Sequence, residues 1–322
     1  MESEFGKYVS SPLFTFIVGQ ARKEITVHSG PLASLSSTLD KLINGPMLEA
    51  KLRQADWSEV VEEDTFVRLC EYAYMRDYTP PVCLEREVRS FQTPISPQNF
   101  QSKKLRKKNG KNRCYSPCPV PASAMEHVPV QEYPEAETYE VAVSAEPADA
   151  QVESEEQPYA PFEGFALPYR EKSIWSGRLR DKFRDLSVRY TRSNNNALSG
   201  QRVTFTPTGN THPWEDFTSV FLGHAKLYIL ADTYGITSLA DLVLHKLATT
   251  LTDFTLCEDN INDVAELVRF SYRGTLPHDA MRALVTAYVA SVLGQIGDNT
   301  QFQELLAEGG DFVLDFWQVI WG

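Results

Sequence analysis

KEITVHSGPLASLSSTL, residues 23–39, opens on alternating apolar and polar side chains and then passes into leucines at helical spacing. Period-two alternation over 23–28 predicts a half-buried strand. Beyond it Ser29 can cap a helix, Pro31 is tolerated in a first turn, and Leu32, Leu35, Leu39, Leu42 and Ile43 share one helical face. The pattern predicts a helix from Ser29 that ends at Asn44 and Gly45, with Pro46 barring its continuation. Just upstream, LFTFIVGQ (13–20) mixes aromatic and β-branched residues, so 13–20 and 23–28 read as a strand pair turned by Gly19 to Arg22. Phe5, Tyr8 and Val9 ahead of it are expected to cover a sheet edge.

Downstream, a third strand is expected within Ala50 to Ala55, followed by a helix over 63–76 in which Phe66, Leu69, Cys70, Ala73 and Tyr74 follow the i, i+3, i+4, i+7, i+8 pattern. Tyr78 to Pro81 closes this unit. From 84 to 212 the composition changes: eleven of the nineteen prolines fall between Pro94 and Pro168, without sustained periodicity. Such a segment buries too little apolar surface to offset its chain entropy and is expected to be mostly disordered. One island inside it, IWSGRLRDKFRDLSVRY (174–190), can line Trp175, Leu179, Phe183, Leu186 and Tyr190 along one helical face, either to bind a partner or to dock on its own domain. From Trp214 onward, helices are expected over 217–233, 237–252, 259–272, 278–294, 299–308 and 311–320, separated by Gly and Pro. The whole reads as α+β, with a core from 12–83 and 213–252, an insertion at 84–212 and a helical extension at 253–322.

The formal net charge of the 322 residues is -12, unevenly spread. Residues 103–113 hold seven basic and no acidic side chains, whereas 114–169 hold eleven acidic and no Lys or Arg. The stretch from Trp214 is acidic again and would repel a phosphate backbone, so direct nucleic-acid binding by the folded parts is not expected. Five cysteines make no disulfide framework and fit a reducing compartment. No signal peptide or membrane anchor is expected, because the N-terminus has no basic region and no apolar run approaches about 18 residues. Enzyme signatures are missing: no Gly-rich phosphate loop, no His-Glu-x-x-His and no nucleophile elbow. We expect no cofactor and no catalysis.

Three runs carry a resemblance. KEITVHSGPLASLSSTL (23–39), with its strand, His28 and apolar helix start, FVRLCEYAYMRDYTPP (66–81), led by a phenylalanine and closed by a tyrosine, and HAKLYILADTYGITSLADLVLHKL (224–247), turning around Ala-Asp-x-Tyr, together resemble the BTB/POZ family. The arrangement is most similar to fungal BTB proteins with a charged, proline-rich insertion and extra C-terminal helices. The resemblance implies a non-enzymatic scaffold or adaptor that binds other proteins, either a cullin ubiquitin-ligase scaffold or transcriptional co-regulators, in nucleus or cytoplasm. It further implies a cullin-docking motif, hydrophobic-x-Glu, whose matching residues are Met47 and Glu49, around Leu48. Family dimers exchange an N-terminal strand, and the short stretch before Pro12 makes that exchange unexpected here.

Other residues point to further roles. Lys103, Lys104, Arg106, Lys107 and Lys108 fit a nuclear import signal, since exposed cations in an extended chain suit an acidic receptor groove; they also fit a solvated charge run, or a partner for the acidic stretch that follows. Cys114, Cys118 and His127 lack the spacing of a common zinc site, so no metal is expected. His28 reads as a structural hydrogen-bonding group, and Cys70 and Cys257 as core.

Overall fold

A computed structural model describes residues 3–86, 166–167, 175–197, 205–207 and 209–322. In chain order the first elements are α1 (Glu4–Val9), β1 (Leu13–Val18), β2 (Lys23–His28), α2 (Ser29–Ala33), α3 (Ser37–Asn44), α4 (Leu48–Leu52), β3 (Gln54–Trp57), α5 (Glu63–Met75) and β4 (Leu84–Glu85). Next come α6 (Trp175–Ala197), β5 (Glu215–Asp216), α7 (Thr218–Thr233), α8 (Thr237–Asp253), α9 (Ile261–Gly274), α10 (Ala280–Ser291), α11 (Leu293–Ile296), α12 (Thr300–Ala307) and α13 (Asp311–Trp321). The architecture is mixed α and β, mostly helical, with a small sheet.

That sheet runs β2-β1-β3, antiparallel across β1–β2 and parallel across β1–β3, with Phe16 opposite Ile25 on one side and Ala55 on the other. Alternation puts Phe14, Phe16 and Val18 in the core. Gly19 and Arg22 adopt left-handed backbone conformations that turn the chain between the strands. Phe16 stacks near Phe14, Trp57 and Phe66 with ring centroids within 4.9 Å, and Trp57 reaches Tyr234 at 4.6 Å. This aromatic chain ties the sheet to α5 and to the α7–α8 turn, and the helices behind continue the same core.

Four expectations need correction. The helix from Ser29 is two helices, because Ser36 is extended and its side chain accepts the Leu39 N–H at 3.2 Å, capping α3 and breaking the run. Residues 50–52 are helical rather than extended: LEAKL holds good helix formers, left-handed Arg53 ends α4, and the strand begins at Gln54. Phe5, Tyr8 and Val9 do not cover a sheet edge. Ser3 caps the Gly6 N–H, which makes this stretch a helix lying along α2, with Phe5 and Val9 exposed and Tyr8 meeting Ser34 and Arg76.

The fourth concerns 84–212, where part of the segment is ordered. Leu84 and Glu85 pair with Asp216 and Glu215, so the chain departs and returns side by side. The helix expected over 174–190 forms and extends to Ala197 as α6. It buries Leu179 and Phe183 against α8 and α10, with Phe183 5.4 Å from Tyr288. Burial of the Leu179 and Phe183 side chains supplies the apolar contact that the rest of the segment's composition lacks. The described residues all lie in one compact unit formed by 1–89 and 160–322.

Candidate functional site

The corner between α3 and β3 stands out by what it leaves uncovered. At its start Gly45 is obligatory, since a Cβ there would sit 2.2 Å from the Lys41 carbonyl oxygen. Pro46 then bars the helix from continuing, and Met47 becomes the N-cap of α4. Helix α4 buries none of its own side chains. Met47, Leu48 and Leu52 are 56%, 65% and 63% exposed, and the Glu49 carboxylate has no hydrogen bond or ion pair among the described residues. These apolar side chains add little to the core and form an apolar patch on the surface. Glu49 lies in the first turn of α4.

The corner is held rigidly from behind. Arg53, in the left-handed region at φ 58°, donates from Nε to the Leu13 carbonyl at 3.2 Å, lies over the Phe14 ring, and accepts the Thr15 N–H at its own carbonyl. Leu13, also exposed, extends the apolar surface onto the first residue of β1. The structure thus brings Met47 and Glu49 together with Leu48, Leu52 and Leu13. Sequence reasoning named Leu48 only as the residue between Met47 and Glu49 and missed Leu52 and Leu13, because α4 is too short to show a period and the exposure of its leucines is set by the fold.

A second concave surface lies between the segment before α5 and helices α7 and α9. It is a cleft of about 460 Å³ lined by Val60, Val61, Ile229, Leu230, Tyr234 and Phe270, with the Lys226–Glu62 ion pair at 2.7 Å on its rim. The floor is mostly apolar, with the hydroxyl-bearing Thr65, Thr233 and Tyr234 among its lining.

Several buried polar residues elsewhere join chain-distant elements. Lys246, nearly enclosed, donates to Asp77 Oδ1 at 2.5 Å and to the Tyr78 carbonyl at 2.6 Å, and lies 4.2 Å from the Tyr78 ring. Tyr78 in turn meets His224. Asp263 accepts from the Phe217 N–H, Thr218 and Arg86, so it holds β4, α7 and α9 together. His28 Nδ1 lies 3.0 Å from the Tyr74 hydroxyl, which also takes the His28 N–H, a structural pairing. Burial pushes the Cys70 thiol up to about 12 and also raises Cys257, so neither is poised as a nucleophile.

Among the described residues no cluster of three His, Cys, Asp or Glu could hold a metal ion, and no helix is long and apolar enough to cross a membrane. The basic run Lys103, Lys104, Arg106, Lys107 and Lys108 lies outside the described residues, as do Cys114, Cys118 and His127. No protein-family model, no curated protein and no solved structure matches this chain.

Proposed function

We propose that this chain is a non-enzymatic interaction module of the BTB/POZ type, an adaptor that brings protein partners to a cullin ubiquitin-ligase scaffold through its α3–β3 corner. The observation that carries this reading is the exposure of Met47, Leu48 and Leu52 at the cap and on the turn of a helix with no buried side chain, beside a Glu49 carboxylate that has no partner among the described residues. An unbranched Met adapts to an apolar recess, and a lone carboxylate at the edge sets register against a basic partner. The resemblance of residues 23–39, 66–81 and 224–247 to the family supplies the identity of the scaffold. Substrate recruitment would then fall to another surface of the chain.

The test is capture of purified cullin by the intact chain. Changing Met47 and Glu49 together to Ala should lower capture by about tenfold or more, as expected when an anchor and its charge are lost together. An intact chain that captures no cullin ends the adaptor reading. A second reading, a nuclear regulatory protein that recruits co-regulators, is favoured by the seven basic residues in 103–113. Microscopy of a variant without residues 103–108 decides it, and unchanged location removes the import signal.

A further inference from the structure

The walls of the 460 Å³ cleft between the segment before α5 and helices α7 and α9 are pinned independently of anything that fills it. Tyr234, at the end of α7, lies against Trp57 with ring centroids 4.6 Å apart. Gly274, at the end of α9, approaches α7 so closely that a Cβ there would sit 2.2 Å from Ile229 Cδ1. On the rim, Lys226 Nζ reaches both Glu62 carboxylate oxygens at 2.7 Å. A preformed recess of this volume, lined by Val61, Ile229, Leu230 and Phe270, has the size and the apolar lining of a small-molecule site.

Two hydroxyls in the lining are left without a protein partner. Thr65, only 4% exposed, and Tyr234 make no side-chain hydrogen bond among the described residues. Thr233, by contrast, donates to the Ile229 carbonyl at 2.7 Å and is satisfied. An enclosed hydroxyl that no protein atom meets is costly unless something from outside bonds it, and the space open to Thr65 is the cleft it lines. Burial raises the Tyr234 hydroxyl above its ordinary value, so it stays protonated and both donates and accepts. Charge sets a second condition. Among the lining residues only Lys226 and Glu62 are ionised, and they are bonded to each other. An ionic ligand would have to compete for one of them or enter apolar surroundings unpaired.

We infer that this cleft binds a small neutral molecule, mostly apolar, whose hydroxyl or carbonyl oxygen meets the free hydroxyls of Thr65 and Tyr234. The apolar body of the ligand covers Ile229, Leu230 and Phe270, and its oxygen takes the place of water at the two hydroxyls. Were those hydroxyls merely hydrated, an oxygen on the ligand would gain nothing over the water it displaces. The cleft shares no residue with the α3–β3 corner, so its occupancy is measured apart from cullin capture.

Equilibrium dialysis of the full chain against 2-naphthol, with naphthalene and 2-naphthoate beside it, tests this, because the compounds share one apolar body and differ in oxygen and charge. 2-Naphthol should bind with a Kd on the order of 0.1 mM, as suits a ligand of this size. It should bind about three- to tenfold more tightly than naphthalene, the effect of one added hydrogen bond, and about tenfold more tightly than the anionic 2-naphthoate. Thr65→Val with Tyr234→Phe keeps the shape and removes both hydroxyls; it should bring 2-naphthol down to the affinity of naphthalene and leave naphthalene unchanged. Val60→Trp, at a lining side chain 76% exposed, should lower both several-fold by filling the cleft, with an unchanged far-UV spectrum, and it decides the matter if the double variant does not fold. The inference is overturned if 2-naphthol binds no more tightly than naphthalene or 2-naphthoate. It is equally overturned if Val60→Trp leaves binding unaltered, or if a folded chain without the two hydroxyls keeps its preference for 2-naphthol.

Discussion

The Tyr78 hydroxyl lies 2.7 Å from Nδ1 of His224, a residue 146 positions further along, and both side chains are enclosed. This contact joins the segment after α5 to α7 across the long insertion. Nε2 of His224 is buried without a partner, so the Tyr78 bond is the imidazole's one hydrogen bond among the described residues.

Tyr78→Phe removes that bond and leaves His224 with no polar partner. It should cost about 1–3 kcal/mol, the desolvation penalty of a stranded buried group. Urea titration of the variant against the parent measures it, and an unchanged midpoint would mean the two rings merely pack.

Burial, reinforced by the positive charges of Lys246 and Arg68, pushes His224 from its usual 6.5 down to about 3. Its folded pKa lies below its unfolded one, so the unfolded chain binds this proton more tightly. The stability His224 supplies is therefore full above about pH 6.5 and drains as pH falls toward 3, by on the order of 5 kcal/mol when complete. Denaturation midpoints followed from neutral to acid pH should fall steeply, and His224→Leu should flatten the curve.

Asp263 tilts the other way. Burial raises its carboxyl from 3.8 to about 6, against the pull of Arg86, Thr218 and the Phe217 N–H. With the folded pKa above the unfolded one, its contribution is most favourable below about pH 4 and is lost as pH rises through 6. Asp263→Asn should remove that slope. Asp263→Ala strands the Phe217 N–H, Thr218 and Arg86 and should cost roughly 2–4 kcal/mol near neutral pH.

Lys246 and Asp77 form a pair with one member nearly enclosed and the other half in solvent. Asp77→Ala should destabilise by about 1–3 kcal/mol because it leaves a buried ammonium with the Tyr78 carbonyl as its hydrogen-bond partner and only the more distant charge of Glu71 to offset its own. Adding Lys246→Met should recover part of that loss, and a double-mutant cycle with strictly additive changes would show that the two do not couple.

Met47→Ala with Glu49→Ala should leave thermal stability within about 0.5 kcal/mol of the parent, as expected for residues outside the core. A large loss would place the corner in the fold's own stability and weaken the docking reading.

How much of this was legible varied with the kind of signal. The β1–β2 pair and α5 were readable because Phe14, Phe16 and Val18, and then Phe66, Leu69 and Ala73, repeat at the period of their elements and are buried on that period. The break between α2 and α3 was not, because Leu32, Leu35 and Leu39 keep helical spacing across it while a single hydroxyl, that of Ser36, captures the Leu39 N–H. Helix α4 was hidden by the opposite effect, a segment too short to show any period. At the corner, Met47 and Glu49 were visible through the resemblance, whereas Leu13 joins them only because β1 runs beside Arg53.

By itself, then, the sequence determined the α+β class, the strand pair, the long helices and the uneven charge, since each of these follows from local periodicity and composition. Tertiary structure alone decided which apolar residues stay outside: Leu48 and Leu52 on α4, and Trp317 and Trp321 on α13, are as hydrophobic as those within. It also decided the pairing of Tyr78 with His224, of Lys246 with Asp77 and of Asp263 with the start of α7. The physical reason is the same in each case. Whether a side chain is buried or bonded depends on what chain-distant elements place against it, and a core fills only as many positions as its volume allows.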